Sequence, residues 1–308
     1  MYAMCALGAE PFGSAPKVHE KEFDSENLLL YGSQENDRKC GLKMKQALLV
    51  VSFGTSYNES RRKTIEPIER AVAEQFPSYE FRRAFTSRII IDILKKRDNI
   101  CIDGVEEALV KLAAEGFKRV IIQPTLVMGG EEYDCIVDAA KKQKDSFECL
   151  VIGAPLLSSE DDYLTLVSIL TEDTREYDTD GTEIVFMGHG SEHEANAAYC
   201  TLAEILNKKG YTRYHVGTVE ADPSFDDVLA DLDGHEGKHI VLQPMMIVCG
   251  DHAHNDMAGT DRDSWKSRLE ADGYHVTCRL KGMGEIEGVR SMFVEHALAA
   301  GKKMEDHE

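Results

Sequence analysis

From residue 46 onward, short apolar runs alternate with amphipathic stretches. "QALLVVSFG" is an apolar run ended by glycine, the pattern of a strand buried on both faces. A helical stretch is predicted over Glu59 to Gln75, then a strand at "YEFRRAFTS" and helices over 88–97 and 103–116. Gly116 stops the latter at a C-cap position. The strand "RVIIQPTLV", a helix near 131–143, the strand "CLVIGAPLL" and a helix at about 160–173 follow. After the polar stretch "EDTREYDTDGT" the order restarts. Strands at "EIVFMGHG", "YHVGTVEAD", "HIVLQPMMIV" and "HVTCRL" alternate with helices over about 194–208, 224–233, 262–272 and 286–300. Strands alternating with helices predict an α/β fold whose parallel sheets are covered on both faces.

The restart reads as an internal duplication. "VIIQPTLVMGGEEYD" aligns without a gap on "IVLQPMMIVCGDHAH", placing Gln123-Pro124 on Gln243-Pro244 and Gly130 on Gly250. "LLVVSFG" aligns on "IVFMGHG", with Phe53 opposite His189 and Gly54 opposite Gly190. The bland alternative is two similar but unrelated βα units. Duplication predicts two similar lobes, residues 44–173 and 174–308, with a cleft between them. Ligands of open α/β sheets bind beyond the carboxyl ends of the strands. Residues 1–43 lack periodicity and are expected to be a mostly disordered or loosely docked extension, with Met44 a candidate translation start.

Composition narrows the function classes. A net charge of −20 argues against nucleic acid and anionic membranes as partners, although solubility alone accounts for it. The eight cysteines form no C-x-x-C pair and sit mostly in apolar stretches, as reduced buried thiols do. No apolar run is long enough to span a bilayer, and the first residues lack the pattern of a signal peptide. A cytoplasmic location is the expectation.

The candidate chemistry stands at strand ends. His189 follows "IVFMG", Glu220 ends "HVGTVE", and His252 and His254 follow "QPMMIVCG". Two imidazoles and a carboxylate converging on one sheet edge suit a divalent transition metal with an open position. Singly, each has a plainer reading: a hydrogen-bonded structural histidine, an ion-paired Glu220, a loop with local Asx bonds. The first half offers a small-residue loop, Ser52 to Ser56, whose backbone N–H groups suit an anion. It also offers Glu131 and Glu132, opposite Asp251 and His252 in the alignment. These two are cleft carboxylates or simply a charged first turn complementing the helix dipole. Walker, dinucleotide-loop and hydrolase-elbow spacings are absent.

Together the segments "ALLVVSFGTSY", "GEEYDCIV", "VFMGHGSEHEANAAY", "VGTVEADP", "GDHAHNDMAG" and "GMGEIEGVRSMFVEH" resemble the anaerobic-type sirohydrochlorin cobaltochelatases. This is a class II chelatase family related in fold to ferrochelatase, and the resemblance covers about residues 45–298. It implies insertion of Co²⁺ into sirohydrochlorin with release of two protons, in anaerobic cobalamin biosynthesis. Co²⁺ is then a substrate metal rather than a tightly bound cofactor, and the partners are sirohydrochlorin and Co²⁺, with homo-oligomerisation left open. The resemblance makes His189 and His252 the metal and proton-transfer pair and Glu220 the third ligand. Glu132 faces them, and His254 falls outside the pattern. Against a −20 protein, a polycarboxylate substrate needs local donors. The candidates are Ser52, Phe53, Thr55 and Ser56 of the loop, with Arg83 and Thr86. A ferrochelatase or nickel chelatase, a non-catalytic metal or tetrapyrrole carrier and a periplasmic-type binding protein remain the alternatives. The absence of an export pattern counts against the last.

Overall fold

The computed structural model describes residues 29–31, 44–234 and 237–306. Most of the expected extension, residues 1–43, lies outside the described residues. Its described piece, β1 (Leu29–Tyr31), docks antiparallel on the edge of the first sheet. That sheet continues with β2 (Gln46–Ser52), β3 (Glu80–Phe85), β4 (Asp103–Gly104), β5 (Arg119–Pro124) and β6 (Cys149–Ile152), in the order β1-β6-β5-β2-β3-β4. The second sheet holds β7 (Thr182–Gly188), β8 (Tyr214–Thr218), β9 (His239–Pro244) and β10 (His275–Cys278), in the order β10-β9-β7-β8. All pairings after β1 are parallel.

The duplication is visible in topology and register. β6-β5-β2-β3 and β10-β9-β7-β8 run in the same order. Val51 lies opposite Pro124 as Met187 lies opposite Pro244. Past each proline the next N–H returns to the central strand, Thr125 to the Val51 carbonyl at 2.7 Å and Met245 to that of Met187 at 2.8 Å. Gly54 and Gly190 both have positive φ, 102° and 88°.

The first sheet is covered on one face by α4 (Val105–Ala114) and α5 (Glu131–Gln143). α3 (Arg88–Asp98) flanks its β3–β4 edge. In the second lobe α8 (Phe225–Leu232) and α9 (Trp265–Ala271) cover the outer face. Between the sheets lie α2 (Ile65–Glu74), α6 (Glu160–Asp173), α7 (Ala197–Lys208) and α10 (Glu287–Glu305). They join both sheets in one apolar core that runs from Leu48 and Val151 through Phe293 to Phe186 and Val241.

That core corrects two sequence boundaries. The closing helix α10 was expected within the 174–308 lobe, yet it packs on α2, β5 and β6 of the first lobe. Val289, Met292, Phe293, Ala297 and Ala300 are all buried there, so the apolar face of α10 chooses the first sheet. The helix expected over Glu59 to Gln75 is broken at Thr64 into α1 (Asn58–Lys63) and α2. Pro67 cannot donate an N–H to the Lys63 carbonyl and its ring crowds that oxygen, which breaks the helix here. The Gly284 backbone packs on Thr64 at the break, so closely that a Cβ there would come within 2.8 Å. The remaining predicted elements stand within a few residues of their expected places. No helix among the described residues is long and apolar enough to cross a membrane.

Candidate active site

The strands' carboxyl ends open on a cleft of about 660 Å³ between the lobes, a size suited to a small-molecule site. Its apolar walls come from equivalent segments, Leu126 to Met128 of the first lobe and Met246 to Val248 of the second, with Phe53 and Tyr199 beside them. Its charged lining is Glu131, Glu132, Glu192, Glu220 and His189, without lysine or arginine among the described residues.

His189 leaves the end of β7, and Gly190 then turns in the left-handed region, φ 88°. A Cβ on Gly190 would meet the Ala221 nitrogen at 2.7 Å, so only glycine lets the 218–221 turn close over this loop. The Glu220 N–H donates to the His189 carbonyl at 2.9 Å, which sets the carboxylate beside the imidazole. His252 sits in a helical turn that begins at Asp251 and becomes π-helical over Ala253–Met257, a feature frequent at functional sites. His189, Glu220 and His252 are thereby brought together, with one ligand atom from each within 4.8 Å of the others. Glu220 lies 3.7 Å from His189 Nδ1 and 4.0 Å from His252 Nε2. The two imidazoles meet edge to face, 4.6 Å apart and 86° between planes.

The partners of each ring decide its tautomer. His189 Nδ1–H donates to the Gly190 carbonyl at 2.8 Å, and His252 Nδ1–H donates to Asp256 Oδ2 at 2.7 Å. Both rings therefore keep a single lone pair, on Nε2. Donor atoms of a tetrahedral site with bonds of roughly 2.1 Å lie roughly 3.4 Å apart. The observed atoms are spread more widely, within 4.8 Å of one another, and they number three rather than four. Such a set holds a divalent ion with a position open and releases it more readily than a closed structural site. The nearby Cys249 takes no part as a thiolate: burial pushes its thiol up to about 11.

Asp256 was missed in the sequence. It lies i+4 from His252, a spacing that places the two on one face only if residues 252–256 are helical, and no helix was predicted there. A carboxylate on the far nitrogen of a metal-binding histidine fixes its orientation and raises its basicity. Asp256→Ala is expected to weaken Co²⁺ binding about 10- to 100-fold, with Asp256→Asn, which can still accept from Nδ1–H, losing less. Titration of the metal-free protein with Co²⁺ measures both, and equal affinities in parent and Ala variant would remove Asp256 from the site.

The first lobe repeats the scaffold without the donors. Ser87 donates its N–H to the Phe53 carbonyl as Glu220 does to that of His189, so Phe53, Ser87 and Glu132 stand where the second lobe has His189, Glu220 and His252. Glu132 lines the cleft in the first turn of α5, and Phe53 is 44% exposed at its mouth. The other loop candidates turn inward. Ser52 Oγ bonds Thr125 Oγ1 at 2.7 Å, Thr55 Oγ1 accepts from the Tyr57 N–H at 3.2 Å, and the Ser56 carbonyl accepts from Arg97. Ser52 still touches the cleft, whereas Thr55 and Ser56 are outside its lining. Thr86 is also outside it, spending its N–H on the Ser52 carbonyl at 3.0 Å. Arg83, expected as a cleft donor, is not brought there. The alternation of β3 turns it with Phe81 and Phe85 toward α2, where the buried Glu69 carboxylate takes its guanidinium through both oxygens.

Two facing α/β lobes with a His-Glu-His cluster at one side of the cleft and the Glu132 carboxylate across it suit a chelatase. The fold is shared with SirB from Bacillus subtilis, solved with Fe³⁺, at a TM-score of 0.58 over 85% of this chain and 98% of that one, with 14% identity. The family model described as cobalt chelatase (CbiK) matches residues 46–302. The sirohydrochlorin cobaltochelatase of Salmonella typhimurium is 44% identical over 82% of this chain and 95% of its own length. Sirohydrochlorin cobaltochelatase CbiKC of Nitratidesulfovibrio vulgaris is 33% identical over 85% and 93%. The chain belongs to the cobalt chelatase family.

Proposed function

We propose that the chain inserts Co²⁺ into sirohydrochlorin, displacing two pyrrole protons, as a step of anaerobic cobalamin biosynthesis in the cytoplasm. The observation that carries this reading is the His189–Glu220–His252 cluster, two of whose members, His189 and Glu220, line an apolar slot. The names of the two relatives above support the choice of ring and metal. Co²⁺ enters as a substrate, and no tightly bound cofactor is invoked.

The ring lies between the two apolar walls with its carboxylates directed toward the water at the rim. The cluster holds Co²⁺ until the pyrrole nitrogens replace its ligands. Each imidazole has one free nitrogen, so it ligates first and accepts a proton only after the metal has left. Two histidines can thus take the two protons, and Glu132 on the opposite wall offers a further acceptor. The balance is Co²⁺ plus the doubly protonated ring giving the cobalt complex and two protons.

The expected result is anaerobic conversion of several equivalents of sirohydrochlorin per chain, followed by its visible spectrum, with Co²⁺ preferred in competition with Fe²⁺ and Ni²⁺. Product that stops at one equivalent would make the chain a carrier, and a preference for another metal would make it a different chelatase. Ligand type alone does not settle that preference.

A further inference from the structure

The flanks of the cleft carry two contacts that metal transfer does not use. Tyr57 of the first lobe reaches the second: its ring stacks on His254, with centroids 4.9 Å apart and planes at 12°. Its hydroxyl donates to Asp251 Oδ1 at 3.1 Å. His193 of the second lobe reaches the other way, with Nε2 3.5 Å from Asp134 Oδ2. The Ala195 N–H donates to His193 Nδ1 at 3.0 Å, which leaves the ring proton on Nε2, facing that carboxylate.

These contacts are counterparts under the duplication. Tyr57 and His193 each stand three residues after a positive-φ glycine, Gly54 and Gly190, and each is the N-cap of the helical turn that follows. The N–H of each donates to the hydroxyl two residues back, Thr55 at 3.2 Å and Ser191 at 3.0 Å. Their targets are equivalent too. The Asp134 and His254 N–H groups donate to the glycine carbonyls four residues back, Gly130 at 3.0 Å and Gly250 at 3.2 Å. One flank is aromatic and the other charged, yet the same backbone rule places both.

At the back the lobes share one apolar core. At the mouth these bridges are partly exposed, with 24% of the His193 and 64% of the Asp134 side chain open to solvent, and contacts so placed are individually weak. The cleft is therefore fused behind and only lightly fastened at its sides. A planar ring that lies between the two apolar walls enters edge-on, past those sides.

We propose that Tyr57–His254 and His193–Asp134 are paired clasps that close the two flanks of the cleft and part to admit and release the macrocycle. The identity of that guest rests on the sirohydrochlorin reading above. The four side chains are positioning residues: none belongs to the metal cluster or lines the cleft.

Stopped-flow mixing of metal-free sirohydrochlorin with the full chain, without metal, gives the association and dissociation rates. Tyr57→Ala and Asp134→Ala are each expected to raise both rates at least about fivefold, because loosened contacts speed passage in both directions. The double variant should exceed either. Asp134→Asn keeps an oxygen acceptor for Nε2–H and stays within about twofold of the parent. Co²⁺ affinity of ring-free Asp134→Ala stays at the parental value, since the metal cluster lies wholly in the second lobe. Rates within twofold of the parent in both alanine variants, or an Asn variant as fast as the Ala variant, would overturn the clasps alone. Failure of the parent to bind the ring at all would overturn the functional reading and the clasps with it.

Discussion

Replacing His189 by alanine is expected to lower cobalt insertion by about 10²- to 10⁴-fold, the range for loss of a positioned proton acceptor, and to weaken Co²⁺ binding as well. The double effect is the informative part. A residue that only accepted protons would leave metal affinity intact, whereas one that ligates the metal and then acts as a base loses both functions together. His252→Ala should behave alike, because its Nε2 lies 4.0 Å from the same Glu220 carboxylate. Stability should change by no more than about 0.5 kcal/mol in His189→Ala, as for surface substitutions: the side chain is 44% exposed, and its Nδ1 bonds only its neighbour's carbonyl. Initial insertion rates, Co²⁺ titrations and thermal unfolding of the same variants check all three statements. Full insertion by both alanine variants would remove the cluster from the reaction.

Phe293→Ala is expected to destabilise the fold by about 3–5 kcal/mol, the cost of deleting a fully buried aromatic ring and leaving a cavity. Phe293 is 0% exposed in the middle of α10. At roughly 2 °C per kcal/mol for a chain of this size, the midpoint should fall by roughly 6–10 °C. The side chain belongs to the core shared by both sheets, so unfolding should not split into lobes. Trp265, the single tryptophan, is buried against Phe225 in the second lobe and reports there, while far-UV dichroism reports on both. The two signals should move together in parent and variant. A tryptophan transition left in place while dichroism shifts would mean that α10 serves the first lobe alone.

The elements were legible where a single physical rule governs them. Buried parallel strands such as β5 and β7 are continuous apolar runs, and the Gln-Pro pair repeated in β5 and β9 marked the duplication that the register reproduces. The grouping of His189, Glu220 and His252 was legible because all three stand at adjacent strand ends. What failed depended on tertiary contacts. Nothing local says that α10 crosses to the first sheet; the break at Thr64, by contrast, has a local sign in Pro67, which lacks the N–H for the Lys63 carbonyl and crowds it. Arg83 looked available because sequence shows a cation but not the buried Glu69 that claims it. Asp256 and the flank contacts were hidden for a related reason: a π-turn and a pair of cross-lobe reaches have no hydrophobic period.

The position of α10 at the end of the described chain has a consequence for synthesis. β2 leaves the ribosome about 235 residues before the helix that seals this sheet's inner face. At roughly 5–20 residues per second, that face waits on the order of ten seconds or more for its cover. During that interval Leu48, Val50 and Ile121 have no α10 to pack against. The nascent first half is thus an adhesive intermediate, exposed to capture by chaperones until α10 displaces them.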